Sequence, residues 1–267
     1  MENNKYFNRE AEEKLVTVIV PVYNTEKKFI LECLDSVANQ TLDKKDYDLL
    51  IIDDCSNNSE TTNLLKQLSK DNKYKGVDMK IITHEKNKWV SEVRKTGAKN
   101  AKGEFIVFLD SDDLIEKDYL KKSALLLKTS PKAGWIYPNI RMFGYFDHFL
   151  YAPQFNALKL FLNNYCVSAS LYRKSAWIQV SQREKFVIKN VRFFEDWDTT
   201  IRLMSKGWFG LPLNDSDFRY RQHYKSMVIR TSKILALTIY IVWRSNIVTF
   251  LKIFKAQIRY NRDFEEG

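Results

Sequence analysis

A chain of 267 residues that is 45% hydrophobic and 28% charged can bury a large core, and its composition excludes a fibrous or disordered protein. A formal charge of +10 suits an anionic partner: a phosphorylated ligand, nucleic acid or an anionic membrane surface. Cys33, Cys55 and Cys166 lie far apart with no C-x-x-C or Cys/His grouping, which argues against a zinc site or disulfide framework and fits a reducing cytosol.

The polar lead before Val16 has no apolar stretch of the signal-peptide kind, so a cytoplasmic protein is expected. Val16–Val20 reads as a strand stopped by Pro21, and Asn24 or Thr25 as the cap of a helix running to Ala38. Asp48–Ile52 is a second strand, ending in Asp53-Asp54-Cys55-Ser56. A helix over Ser59–Ser69 leads to a third strand, Val77–Ile82, and a helix over Asn87–Ala101 to a fourth, Phe105–Leu109. Strands alternating with helices of about a dozen residues imply right-handed crossovers and a parallel, Rossmann-like sheet. No G-x-G-x-x-G follows the first strand, which excludes a dinucleotide fingerprint.

The fourth strand runs directly into Asp110-Ser111-Asp112-Asp113. Taken alone, these acids have two readings: an acidic turn with Asp112 or Asp113 capping a helix at Leu114, or a carboxylate site for Mg²⁺ or Mn²⁺ on a nucleotide's phosphates. Beyond them come a helix at Tyr119–Lys128, a short strand Trp135–Tyr137 before Pro138 and a loop-like aromatic run from Phe143 to Ala152. A short helix at Leu158–Leu162, a strand at Ser168–Tyr172, a helix from Glu195 to Gly207 and a last strand and loop at Phe218–His223 follow. The tail from Ser226 holds two apolar runs, Ile234–Trp243 and Ile247–Phe254, with Lys252, Lys255, Arg259 and Arg262 around them. It reads as a basic amphipathic helix pair lying on an anionic membrane, or else packing on the domain or on a second copy in a homodimer.

In a parallel sheet, Pro21–Asn24, Asp53–Ser56, Asn87, Arg94 and Asp110–Asp112 all come to one edge. Tyr23 offers a ring for a base, a buried carboxylate can accept the imide N–H of uracil, and Arg94 supplies a forked cation.

The segments Val18–Asn24, Ile51–Ser56 and Ala101–Asp113, with Glu195-Asp196-Trp197-Asp198 and Tyr220-Arg221-Gln222-His223 downstream, resemble the successive signatures of the family 2 glycosyltransferases of the GT-A fold, over about Val16 to Ser226. The resemblance implies an α/β, mostly parallel sheet flanked by helices, with a lead at 1–15, a catalytic domain at 16–225 and a helical tail at 226–267. Residues 16–113 would form the nucleotide half and 114–225 the acceptor half. It implies inverting transfer from a UDP-sugar to a glycan or polyprenyl-linked acceptor in cell-surface polysaccharide synthesis, at the cytoplasmic face of the membrane. Pro21 and Tyr23 would hold the uracil with Asp54 on its edge, Asn87 and Arg94 would complete the nucleoside pocket, and Asp110 and Ser111 would lie beside the ribose and metal. Asp112 would bind Mn²⁺ or Mg²⁺. His223 would approach the metal, with Arg221 beside it on the diphosphate. Asp196 would be the general base, oriented by Glu195. One departure stands out: where the family often has N-x-G-x-x-x-A-R-N, this chain has Asn87-Lys88-Trp89 and Val93-Arg94-Lys95. Two other classes compete. A sugar-nucleotide nucleotidyltransferase would need a Gly-rich loop after the first strand, and a basic nucleic-acid-binding module would be repelled by the acids at the ligand edge; no nucleic-acid partner is expected.

Overall fold

The computed structural model describes residues 14–70, 74, 76–181, 195–223 and 250–264. Its sheet starts from four strands, β1 (Val16–Val22), β2 (Tyr47–Asp53), β3 (Asp78–Thr83) and β4 (Phe105–Phe108), ordered β3-β2-β1-β4 and all parallel. The unbroken apolar runs of β1, β2 and β4 are buried on both faces, while the alternating β3 forms the half-exposed edge. Helices α1 (Lys27–Ala38), α2 (Ser59–Leu68) and α3 (Trp89–Asn100) make the crossovers. α3 lies so close to β1 that a Cβ on Gly97 would meet Ile19 Cγ2 at 2.4 Å.

Pro21 does not stop β1; it pairs in register with Ile52. Ile19 turns its carbonyl toward β4, where it accepts from Leu109 N–H, and Pro21, two residues on, faces the same side after that pairing has ended. The N–H that proline lacks is therefore not needed. Neither expected cap serves α1, whose N-cap is Glu26 with no side-chain bond. Asn24, at φ 52°, instead ties the first loop to the second through Asn57 and Asn58, and Thr25 Oγ1 lies 2.8 Å from Ser111 Oγ.

No helix begins at Leu114. Leu114–Ile115 is a short strand, β5, antiparallel to β9 (Phe209–Gln222), so the helix-cap reading of Asp112 and Asp113 falls. The second half is more regular than its sequence reads. β6 (Ala133–Gly144) continues through Pro138 and turns back as β7 (His148–Leu150), a hairpin where the aromatic run suggested a loop. Helix α4 (Tyr119–Thr129) precedes β6, α5 (Ala157–Leu162) follows β7, and β8 (Leu171–Arg173) inserts antiparallel between β4 and β6. β9 runs parallel to β6, completing the order β3-β2-β1-β4-β8-β6-β9-β5. The sheet is thus parallel over β1 to β4 and mixed beyond. A helix not anticipated, α6 (Lys174–Ser181), follows β8; α7 (Glu195–Ser205) ends before Gly207, at φ +84°.

Over its last stretch the tail forms α8 (Phe250–Phe264), which takes the domain-packing alternative with one of its faces. Ala256 and Tyr260 are buried, Tyr260 packs against Phe155 and Phe209, and Arg259 Nη1 donates to Gly207 O at 3.0 Å. Lys132 Nζ and Asp263 Oδ1 close the contact at 2.8 Å. The face of α8 that carries Ala256 and Tyr260 is spent on the domain. The run Ile234–Trp243 and the start of the second apolar run lie outside the described residues, where no helix is described; among the described residues none is long and apolar enough to cross a membrane.

Candidate active site

Strand direction brings the expected residues to one edge, and Arg94 stitches two parts of the chain together there. Rising from α3 and buried, it donates through Nη2 to Asp110 Oδ1 at 3.2 Å and through Nη1 to Glu195 Oε1. The acids closing β4 and those opening α7 therefore share one site although about 85 residues separate them in sequence. Burial pulls the Arg94 guanidinium toward losing its proton, but Glu195, Asp110 and Asp196 outweigh it and hold it charged. Asp110 Oδ2 also accepts from Ser168 Oγ at 3.3 Å.

Asp196 stands beside this bridge, its Oδ1 accepting from Trp197 N–H at 2.8 Å. Burial first, and the Glu195 carboxylate next, push the Asp196 carboxyl up to about 7, against the pull of Arg94. A proton acceptor tuned near neutrality is what general-base work calls for. Trp197 anchors the helix start by donating from Nε1 to Leu160 O at 2.7 Å.

At the other end of the acidic loop, His223 Nε2 lies 3.0 Å from Asp112 Oδ2 and its ring stacks on Phe29. Burial and the charge of Asp110 raise the Asp112 carboxyl, while His223 lowers it. Arg221 is buried between the rings of Phe29 and Phe143, each 4.5 Å from its guanidinium carbon. Its Nε donates to Asp112 O at 2.7 Å, its Nη2 to Glu32 Oε2 at 2.5 Å, and its backbone N–H to Asp113 Oδ1 at 2.8 Å. Arg221, expected on the diphosphate, thus clamps the acidic loop against β9.

The nucleoside end is also assembled. Asp54, only 3% exposed, holds the loop after β3: Oδ1 accepts from Lys88 N–H at 2.8 Å and lies 2.8 Å from His84 Nδ1, and Oδ2 accepts from Trp89 N–H at 2.7 Å. A carboxylate offers about four acceptor positions, and three of those on Asp54 are engaged by these partners. Tyr23 stands half-exposed just past β1, two residues after Pro21 in the strand; the Asn87 side-chain oxygen is buried with no donor. Ser111 is buried against Thr25. Asp113, Glu32, His84, Phe29, Phe143 and Ser168 were not anticipated as parts of the site. Asp113 alone carried a signal, as the third acid of its cluster.

A family model described as glycosyl transferase family 2 matches residues 17–180, more than half of the chain. The chain belongs to glycosyltransferase family 2. Among relatives of this family 2 glycosyltransferase, poly(ribitol-phosphate) β-N-acetylglucosaminyltransferase TarP of Staphylococcus aureus (strain N315) is 43% identical over 110 residues, 40% of this chain and 31% of that protein. The match thus spans about a third of that relative's length. The fold is shared with S. aureus TarS 1–349 in complex with UDP-GlcNAc, at a TM-score of 0.70 and 20% identity, covering 93% of this chain and 73% of that one. It is shared too with mannosyltransferase PcManGT of Pyrobaculum calidifontis in complex with GDP-Man and Mn²⁺, at a TM-score of 0.63 and 14% identity, covering 97% and 80%.

Among the described residues of this glycosyltransferase, no three His, Cys, Asp or Glu side chains gather around one point. Asp112 and His223 are a two-donor set, their Oδ2 and Nε2 atoms 3.0 Å apart. One carboxylate and one imidazole fit a divalent ion that takes its remaining oxygens from phosphates and water.

Proposed function

We propose that the chain transfers a sugar from a UDP-sugar to a hydroxyl of a glycan or polyol-phosphate acceptor in cell-surface polymer synthesis, inverting the anomeric centre. The observation that carries this is the Arg94 bridge, which sets the donor-edge acids and the near-neutral Asp196 in a single site. UDP-GlcNAc in the TarS structure and poly(ribitol phosphate) in the name of TarP support the donor and acceptor classes, and the charge of +10 suits an anionic polymer. Family membership weighs against both a nucleotidyltransferase and a nucleic-acid module.

In this reading the uracil lies against Tyr23, with Pro21 at its back and the remaining acceptor position of Asp54 on its edge. Asn87 offers its donorless oxygen to the nucleoside. Asp112 and His223 would hold Mn²⁺ or Mg²⁺, which when bound offsets the charge gathering on the departing diphosphate. Asp110 and Ser111 line the path between ribose and metal, and Arg221 keeps the acidic loop in place. Asp196 takes the proton of the acceptor hydroxyl, whose direct attack on the face opposite the leaving group gives inversion. Glu195, held by Arg94, keeps a second negative charge beside Asp196 and so sustains its basicity. A lipid-linked acceptor would place the work at the cytoplasmic membrane face, with residues 226–249 as the segment to carry attachment.

Incubating the protein with a panel of UDP- and GDP-sugars and Mn²⁺, and measuring nucleoside diphosphate release with and without a ribitol-phosphate polymer, tests the reading. Release from a UDP-sugar stimulated by polymer is expected. Release confined to GDP-sugars, or none from any donor, contradicts it.

A further inference from the structure

Trp89 occupies the place where the family resemblance expects glycine, and it keeps the glycine's backbone: its φ is +70°. A bulky residue in the left-handed region is a genuine outlier, because its Cβ crowds the neighbouring carbonyl. Such strain is retained where the side chain or backbone is needed. The indole is 51% exposed, so burial in the core does not explain it.

Its position is fixed relative to the nucleoside end. Asp54 N–H donates to Val22 O at 2.9 Å on one side, while the Asp54 carboxylate accepts from Lys88 and Trp89 N–H on the other. Tyr23, which follows Val22 and is 49% exposed, and Trp89 therefore flank the same buried acid. β1 and β3 both pair with β2, each about 4.8 Å away, so the strand ends at Val22 and Thr83, from which the chain leads to Tyr23 and to the Trp89 loop, lie on the order of 10 Å apart. A flat ring stacked on both faces needs roughly 7–8 Å between the rings around it.

We propose that Trp89 is the second aromatic wall of the nucleobase pocket, closing over the face of uracil opposite Tyr23. The inference rests on the UDP-sugar reading above and adds to it a residue that sets donor affinity. Stacking of this kind tolerates any π-face and contributes affinity without reading hydrogen bonds, so Trp89 tightens the hold on the base while the Asp54 edge selects it.

The test compares Trp89→Gly, Trp89→Phe and the unaltered chain by calorimetric titration with UDP and with pyrophosphate, both in Mn²⁺, alongside thermal melting. The proposal expects Trp89→Gly to weaken UDP between about 5-fold and 100-fold, leave pyrophosphate unchanged and melt no lower, because glycine accepts the backbone angle without strain. Trp89→Phe should keep most of the UDP affinity but lose the quenching of indole fluorescence that UDP produces. Unchanged or tighter UDP binding by Trp89→Gly overturns the proposal, and so does an equal loss for UDP and pyrophosphate, which would make Trp89 a loop-shaping residue only. Should the unaltered chain bind pyrophosphate but not UDP, the UDP-sugar reading and the aromatic wall fall together.

Discussion

Asp196 is where local physics bears most directly on chemistry. Its folded-state pKa of about 7 exceeds the ordinary carboxylate value, so the folded chain holds an extra proton between roughly pH 4 and 7. Linkage gives the sign: this group makes the fold progressively less stable as pH rises through that window, and the loss is complete above 7. Asp196→Asn should therefore melt higher than the unaltered chain at pH 8 and gain nothing at pH 4, while losing transfer by at least about 100-fold and binding UDP unchanged. In the unaltered chain, transfer should rise with pH through about 7 and then level. Retained turnover in Asp196→Asn would move the base elsewhere. Arg94 offers a second handle. Arg94 is the buried member of a bridge whose two carboxylates keep partial contact with water, so Arg94→Leu should cost about 1–3 kcal/mol of stability in denaturant titration. Because Arg94 holds the Asp196 carboxyl down, the midpoint of any residual activity should move above 7. The acid triplet was legible in the sequence because Asp110, Asp112 and Asp113 follow a buried strand without a break. The supports of the site were not legible: nothing in the sequence pattern ties Glu32 on α1 to Arg221 or His84 after β3 to Asp54, and only the fold brings them together.

Among the elements, α8 shows how one sequence pattern serves two surfaces. A basic helix with an apolar stripe suits a membrane surface or a protein surface equally well, since both bury the same area. Here the stripe meets Phe155 and Phe209 through Tyr260. Tyr260→Ala should cost about 3 kcal/mol, read as a lower melting temperature, and removal of residues 250–267 should destabilise the domain at least as much. A truncated chain that melts like the full one would show that α8 contributes nothing to the domain. The β6–β9 pair explains the other misreading. Opposite Pro138 and Asn139, β9 carries three additional residues, Asn214, Asp215 and Ser216, between the paired Leu213 and Asp217. Prolines in both strands and this polar interruption break the alternation that marks a strand, so each was seen only in fragments. The parallel half suffered no such loss, because β1, β2 and β4 are continuous apolar runs separated by helical periods.

At the scale of the molecule, one continuous sheet joins a parallel half, which ends in the acidic loop after β4, to a mixed half that brings back β9, α7 and α8. The long returns matter to function: β9 carries Arg221 and leads into His223, and α7 carries Glu195 and Asp196, so the acidic loop after β4 is completed only when the second half folds onto the first. The central claim is that this completed edge holds a sugar nucleotide's diphosphate through a divalent ion. Calorimetric titration of UDP into the unaltered chain and into Asp112→Ala, each with Mn²⁺ and with chelator, tests it most directly. The account predicts binding by the unaltered chain in Mn²⁺ that disappears with chelator and is lost in Asp112→Ala under both conditions. UDP binding of equal strength in chelator, or undiminished in Asp112→Ala, would contradict it.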